Sequence, residues 1–361
     1  MNKTKKRNGF LDFLKLIFAI IIVIGHGDKI YGTLPPNRIM PLASFGVDFF
    51  FVVSGAMLLR SVEKQKKSKD LGKDTIQFMK HKIKGLLPNY YIAWILIFIF
   101  LSVGNSFKSI IFSFFSAIPE LLFLDMTGTA TQVFNGNTWY ISAMLLSILI
   151  LYPLIRKNKD FFIKYIAPMI TIFGLGYMVY NYHTILVIKE WNGFIYLGLI
   201  RGIVDISIGC IVFELSQLLK KNSLTKIGKT LITILEFILY ISIITMLFSY
   251  SFIYTCFVLL FILMIPMCIT LSDISYSKDI FNHKIFNWMG KYSYSLYLGH
   301  CIAYKGLIGD LIFTGKSYLN TMIIYFVVAL LCGLAIMYIS KLYSYIWDRN
   351  KNKIKKMLVA S

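Results

Sequence analysis

The chain has 361 residues, of which 57% are hydrophobic and 15% are charged, and its mean hydropathy is +0.68. This composition excludes an ordinary soluble domain and is typical of a protein with several membrane spans. A formal charge of +21 would fit a nucleic-acid-binding protein, but the basic residues cluster in short segments between apolar stretches, which is the pattern that sets membrane orientation. The five cysteines show no metal-ligand spacing, so neither a disulfide framework nor a metal site is expected.

Ten apolar stretches approach the length of about 20 residues that crosses a bilayer. They cover residues 10–26, 43–60, 86–104, 138–155, 161–180, 193–215, 230–248, 252–271, 292–312 and 320–345. An even number puts both termini on one side, and the eight lysines between Lys64 and Lys84 assign that side to the cytoplasm. The sequence therefore predicts an all-α polytopic bundle of about ten transmembrane helices. Residues 1–348 form one domain, and residues 349–361 form a basic cytoplasmic tail.

The first span, LDFLKLIFAIIIVIGH, contains ionisable residues within an apolar segment. Charged groups inside a bilayer are costly, so they indicate a functional site. Lys15 and His26 are eleven residues apart, about three helical turns, which puts them on one stripe roughly 16 Å apart along the axis. Asp12 falls near the same face. Alternatively, Asp12 and Lys15 extend their charges to the interface and His26 only caps the helix.

The second span, FGVDFFFVVSGAMLLR, carries Asp48 near its outer end. An antiparallel first span would put His26 at the same level, so we expect a carboxylate–imidazole contact. Asp48 could instead simply face water at the interface. Ser54 and Gly55 share a helical face with Asp48, and either close helix packing or a binding role accounts for them.

The longest predicted outer segment, residues 105–138, contains the apolar stretch Ile110–Leu124. This stretch is short for a span, so a re-entrant or interfacial helix is expected. Residues 128–137, GTATQVFNGN, have the composition of a loop. Asn137 and Trp139 then begin the fourth span, where an interfacial tryptophan is common.

Two later spans carry polar residues at helical spacing. In span six, Arg201 and Asp205 are four residues apart, which predicts a neutralising bridge unless Arg201 faces an anionic substrate group. Span nine, YSYSLYLGHCIAY, places four side chains on one polar stripe: Ser293, Tyr297, His300 and Tyr304. Such a stripe either joins membrane helices or lines a cavity.

The order of these motifs resembles the acyltransferase 3 family, whose members are integral membrane O-acyltransferases acting on cell-surface carbohydrates. The motifs are LDFLK followed by His26, GVDFFFVVSG, KHKIKGLLPNYY, NTWYISAMLL and MGKYSYSLYLGH. The resemblance implies a bundle of about ten helices and an acyl-CoA donor drawn from the cytoplasm. The family signature of an arginine, ten residues and a histidine falls on Lys15 and His26. Lysine keeps the charge of arginine but loses its planar bidentate fork.

The resemblance implies transfer of an acyl group, acetyl above all, from acetyl-CoA to a hydroxyl of a cell-surface or exported polysaccharide. His26 is the expected general base, because its pKa lies near working pH, and Asp48 would orient it. The cations expected to bind the coenzyme A phosphates are Lys15, Arg201, Lys80, Lys82 and Lys84. The candidate substrate-binding residues are Asp12, Ser54, Asn137, Trp139, Ser293, Tyr297 and His300.

Two other functional classes fit an apolar chain with intramembrane charges. A transporter or flippase for a lipid-linked glycan would line its pathway with them, although no convincing repeat relates the two halves of the chain. A membrane sensor or scaffold would leave the histidines without a catalytic role. The expected location is the bacterial cytoplasmic membrane, with no nucleic acid and no metal as partners.

Overall fold

The computed structural model describes residues 7–30, 39–65, 70–249, 255–305 and 317–360. Within these residues the structure is helical apart from loops and one two-stranded antiparallel hairpin, Trp191–Asn192 with Ile195–Tyr196. The predicted all-α polytopic fold is confirmed.

The described helices fall into two groups of similar size along the chain. The first half contains α1 (Gly9–Ile30), α2 (Phe45–Lys64), α3 (Leu71–Ser102), α4 (Phe107–Ser116), α5 (Ile118–Leu121), a 3-10 turn (Asp125–Thr127), α6 (Trp139–Lys157), α7 (Lys159–Phe161), a π-helical turn (Phe162–Ile166) and α8 (Ala167–Tyr182). The second half contains α9 (Leu197–Leu219), α10 (Lys226–Met246), α11 (Thr255–Ser272), α12 (Ser277–Ile280), α13 (Lys284–Tyr304) and α14 (Tyr318–Ala360).

Each predicted span coincides with a long helical segment. Among the described residues, eight such segments are long and apolar enough to cross a membrane. The predicted spans outside those eight correspond to α9 and α13, which have comparable lengths of 23 and 21 residues but are less uniformly apolar. These two helices carry Arg201, Tyr297 and His300, which are buried polar side chains of the site described below.

Several predicted boundaries differ from the observed ones. Helix α3 begins at Leu71, well before residue 86, because the Asp70 carboxylate caps it by accepting a hydrogen bond from the Lys73 amide at 2.9 Å. Helix α14 continues to Ala360, beyond the predicted end of its span at residue 345. Apolar runs mark only the part of a helix that matches a membrane, whereas lysine-rich turns can extend a helix beyond it. Residues 250–254 and 306–316, which include parts of predicted spans, lie outside the described residues.

The segment between α3 and α6 matches its prediction in outline. Helix α4 is an apolar helix of ten residues, none of which is buried. The following residues up to α6 contain only short helical turns, and 128–137 form a loop.

Glycines bring the central helices into close contact. A Cβ atom on Gly55 of α2 would lie 2.0 Å from the Ile206 carbonyl oxygen of α9, and one on Gly209 would lie 2.1 Å from the Val52 carbonyl oxygen. Any larger residue at either position would push the two helices apart. Small residues of this kind let membrane helices pack backbone against backbone.

The bundle has two chemically different ends. We call one the basic end, because it carries cations at several helix termini: Lys64, Arg156, Lys159, Lys220 and Lys278. We call the other the histidine end, where α1 and α13 finish and where α2, α6 and α9 begin. By the charge-asymmetry rule the basic end is predicted to face the cytoplasm.

Candidate active site

Two histidines meet at the histidine end. The ring centroids of His26, on α1, and His300, on α13, lie 4.9 Å apart. His26 Nδ1 lies 2.9 Å from the Ile22 carbonyl oxygen. A carbonyl can only accept, so Nδ1 carries the proton of this bond, and a neutral His26 then has its basic lone pair on Nε2. This is the tautomer that a general base on Nε2 requires.

His300 is fully buried and bonded through both nitrogens. Its Nδ1 lies 3.3 Å from the Leu296 carbonyl oxygen, and its Nε2 lies 2.9 Å from Asn137 Nδ2. These partners fit a neutral imidazole that donates from Nδ1 and accepts at Nε2. The Tyr297 hydroxyl donates to the Asn137 carbonyl oxygen at 2.7 Å, which fixes the Asn137 backbone against α13. The predicted residues Asn137, Tyr297 and His300 are therefore brought together.

The loop that presents Asn137 is held by Glu120, a residue that sequence reasoning missed. The Glu120 side chain is fully buried and accepts hydrogen bonds from the backbone amides of Phe134 (2.7 Å) and Asn135 (2.9 Å) and from the Trp94 indole (3.1 Å). The Asn135 side chain in turn accepts from the Asn137 amide at 3.2 Å. An acid inside an apolar stretch was the signal that could have identified it.

A second buried acid, Asp125, adjoins this loop. The Thr138 hydroxyl lies 2.5 Å from Asp125 Oδ2 and 3.1 Å from a Glu120 oxygen. The same hydroxyl lies 2.5 Å from the Asn135 carbonyl oxygen, and its single proton cannot serve all three acceptors. Burial raises the pKa of Asp125 to about 7, against a smaller opposing effect of the Thr138 hydrogen bond. Burial also raises the pKa of Glu120, although its hydrogen-bond donors oppose this.

Arg201 and Asp48 form a buried ion pair beside the histidines. Arg201 Nε and Nη2 each lie 2.7 Å from a different Asp48 oxygen, and both side chains are fully buried. Nη2 also donates to the Ser44 carbonyl oxygen at 3.0 Å. The planar guanidinium suits this two-point contact. Arg201 therefore neutralises Asp48 and is not placed at the basic end with the other predicted phosphate ligands.

Two predicted contacts of these residues are wrong. Arg201 does not bridge to Asp205, since neither Asp205 oxygen has a hydrogen-bond partner among the described residues. Asp48 directs both oxygens at Arg201 and not at His26. The close packing of α2 on α9 explains both differences, because it brings a carboxylate from another helix within reach of the guanidinium.

His26 lines a partly open cavity of about 220 Å³ at the histidine end. Its polar and aromatic wall is formed by His26, Ser44, Trp139 and Tyr297, and its remaining lining is apolar. The Arg201 guanidinium lies 5.7 Å above the Trp139 ring, so the ion pair supports one wall. Pockets of this composition, with few fixed polar groups, are typical of small-molecule sites.

The predicted residues of the basic end form a separate group. Asp12 accepts from Lys15 Nζ at 3.4 Å and from Arg7 at 2.9 Å. The ammonium of Lys82 is close enough to Lys15 to interact with it electrostatically. Lys80 and Lys84 are exposed on α3, and no described contact joins them to Lys15.

Two predicted serines lie in helix contacts away from the cavity. The Ser54 hydroxyl is 3.3 Å from both the Tyr140 hydroxyl and the Met144 sulfur, between α2 and α6. The Ser293 hydroxyl donates to the Gly290 carbonyl oxygen at 3.1 Å, within its own helix. The polar stripe of α13 thus divides: its outer part joins the histidine site, and Ser293 satisfies its own backbone.

The sequence profile of a family described as an acyltransferase domain matches residues 8–341, nearly the whole chain. The chain belongs to the acyltransferase 3 family. This membership makes the protein a membrane acyltransferase and agrees with the resemblance found in the motifs. No curated protein and no solved structure shows significant similarity to the chain. Among the described residues of this acyltransferase, no cluster of three metal-ligating side chains occurs.

Proposed function

We propose that this acyltransferase moves an acetyl group from acetyl-CoA to a hydroxyl of a cell-surface or exported polysaccharide, with His26 as general base. The observation that carries the proposal is the position of His26. Its ring lines the 220 Å³ cavity, and its Nδ1 is fixed on the Ile22 carbonyl. A hydroxyl is a weak nucleophile near neutral pH and needs a base at hydrogen-bond distance.

In the proposed step, His26 Nε2 takes the proton of the acceptor hydroxyl as its oxygen attacks the thioester carbonyl. The tetrahedral intermediate then collapses, the carbon–sulfur bond breaks, and the sulfur leaves with the proton from the imidazolium. The products are an ester and free coenzyme A. His300, held between Leu296 and Asn137, packs against His26 and restricts its ring.

The acceptor would occupy the cavity beside Trp139 and Tyr297. Aromatic rings present apolar faces to the carbon–hydrogen bonds of a sugar, and the Tyr297 ring lies against the His300 ring at 5.7 Å. The donor would come from the basic end, where Lys15 and Lys82 lie close together. Lys15 and His26 are about 16 Å apart along α1, which suits an extended thioester carrier.

The test is the O-acetyl content of surface polysaccharide in a deletion strain carrying wild type, His26→Ala or His183→Asn at matched expression. His183 is an exposed histidine in left-handed conformation at the end of α8, where asparagine is tolerated, so it is a matched control. We expect wild type and His183→Asn to restore acetylation and His26→Ala to leave it absent.

Full acetylation with His26→Ala would contradict the assigned base. Loss of the polysaccharide itself on deletion, with unchanged acetylation of what remains, would favour export of a glycan. The proposed location is the bacterial cytoplasmic membrane.

A further inference from the structure

A second pocket lies at the basic end, away from the histidine cavity. It has a volume of about 240 Å³ and is formed by the first turn of α1, the last turns of α2 and α9, and the loop after α11. Its charged lining residues are Arg60, Glu63, Lys64, Lys220, Asp273 and Lys278. The amides of Asn8 and Gln217 and the apolar side chains of Leu11, Phe213 and Leu271 complete the wall.

Both acids of this pocket are paired with cations other than Arg60 and Lys64. Glu63 Oε1 lies 3.0 Å from Lys159 Nζ, which also lies 3.0 Å from Glu214 Oε2. Asp273 Oδ2 accepts from Lys278 at 2.9 Å and from Lys220 at 3.2 Å. Burial opposes ionisation of Asp273, but the two lysines outweigh it and hold the pKa of this carboxyl below its usual range. Among the described residues, neither acid is paired with the other cations of the lining.

Arg60 and Lys64 are those other cations. They are four residues apart on α2, which makes them neighbours on one helical face. Among the described residues, neither side chain has a hydrogen-bond or ion-pair partner, while Glu63 beside them turns to Lys159. Like charges at this spacing repel each other, and an anion bound between them relieves that repulsion.

We propose that this pocket binds a phosphate ester, with Arg60 and Lys64 as its cationic ligands. The Arg60 guanidinium can grip two phosphate oxygens at once, and the Lys64 ammonium adds a point charge. The apolar side of the pocket, from Leu11 to Leu271, then faces the organic part of the ester. The ester is carried either by an anionic membrane lipid or by the free nucleotide of the acyl donor.

The two sources differ in whether binding depends on the proposed enzymatic reaction. Basic pockets between helices at the cytoplasmic surface bind anionic lipid headgroups, and a lipid ligand is independent of the enzymatic reaction. A nucleotide ligand rests on the proposed function, since it makes the pocket part of donor recognition. Binding can be measured without turnover, so a failed activity assay does not decide between the two sources.

The experiment uses the full chain in nanodiscs and measures the thermal unfolding midpoint. One series titrates coenzyme A in discs of phosphatidylcholine, and another replaces phosphatidylcholine stepwise by phosphatidylglycerol. A ligand of the native state raises the midpoint in proportion to its occupancy. The variants are Arg60→Gln with Lys64→Gln, each single variant, and Lys221→Gln, which removes an exposed neighbouring cation outside the pocket lining.

We expect the double variant to weaken binding by about tenfold or more, as loss of charge-assisted hydrogen bonds does, and Lys221→Gln to behave as wild type. A coenzyme A shift that is lost in the double variant but kept in Lys221→Gln assigns the nucleotide to this pocket, and a phosphatidylglycerol shift with the same pattern assigns the lipid. If neither ligand distinguishes the double variant from Lys221→Gln, the proposal is overturned. If the double variant is unstable without ligand, the single variants supply the same comparison.

Discussion

The two ends of the bundle use charge in opposite ways. At the histidine end, Arg201 contacts Asp48 through two hydrogen bonds and Glu120 accepts hydrogen bonds from the loop around it, and all three side chains are fully buried. At the basic end, Arg60 and Lys64 face a pocket without a protein partner among the described residues. The difference indicates that one end is preorganised around a fixed geometry, whereas the other keeps charge available for an incoming anion.

The largest expected effect is on the Arg201–Asp48 pair. Arg201→Leu leaves a buried carboxylate without its counter-ion, and breaking such a pair costs about 3–5 kcal/mol of folding free energy. We expect a large drop in the thermal unfolding midpoint of the purified protein. Replacing both residues by leucine should recover most of the loss, because neither member of the pair is then left as a charge without its counter-ion. Equal midpoints for the single variant and wild type would mean that the pair is not rigidly matched.

Glu120→Ala tests whether the histidine end depends on its loop. The change leaves the Phe134 and Asn135 amides without their acceptor, at about 1–3 kcal/mol for each unsatisfied buried group. We expect a lower midpoint and a lower kcat for acyl transfer, with little change in KM for the donor, because Asn137 loses its support beside His300. Glu120→Gln keeps one acceptor oxygen, so its unfolding midpoint and its kcat should lie between those of wild type and Glu120→Ala. An unchanged kcat would mean that the loop held by Glu120 does not support the active site.

Asp125 should make stability depend on pH. Its pKa is about 7 in the folded protein and about 3.9 in an unfolded chain. Between these values the folded state binds more protons, so the free energy of unfolding falls as pH rises from about 4 to about 7. Asp125→Asn should flatten this slope and be the more stable form above pH 7. Unfolding midpoints measured at pH 5 and pH 8 check this, and parallel pH profiles for the two proteins would contradict it.

The smallest effect is expected at Ser54. This predicted substrate ligand lies between α2 and α6, where its hydroxyl contacts Tyr140 and Met144. Ser54→Ala removes a single neutral hydrogen bond, so stability should change by about 1 kcal/mol or less and kcat should stay at the wild-type level. A large loss of kcat with unchanged stability would mean that Ser54 contacts the substrate.

Much of this outcome could be predicted from the sequence. Apolar stretches of membrane-crossing length predicted the helices. Asn137 at the start of span four and the polar stripe of span nine were each named as candidates, and their residues do meet at His300. The motif order also predicted the family, which the match over residues 8–341 confirms. The catalytic role of His26 and the phosphate roles of Lys15 and Lys82 remain predictions.

Which polar side chains pair with each other could not be predicted in the same way. The spacing of four residues on α9 predicted that Arg201 pairs with Asp205. The similar membrane depth of the two spans predicted that Asp48 contacts His26. The structure instead pairs Arg201 with Asp48. Glu120 was not predicted as a site residue because its partners, Trp94 and the Phe134 amide, are far from it along the chain. Spacing describes one helix at a time, and these contacts join different segments.

The positions of the helices, and the residues too polar for their surroundings, follow from the order of amino acids, because hydropathy and helical period are properties of neighbouring residues. Which polar groups satisfy each other depends on how the helices pack. The close approach of α2 to α9 at Gly55 and Gly209 helps bring Asp48 to Arg201. In a dry interior each charge or donor must find a partner, and that partner is set by packing between helices.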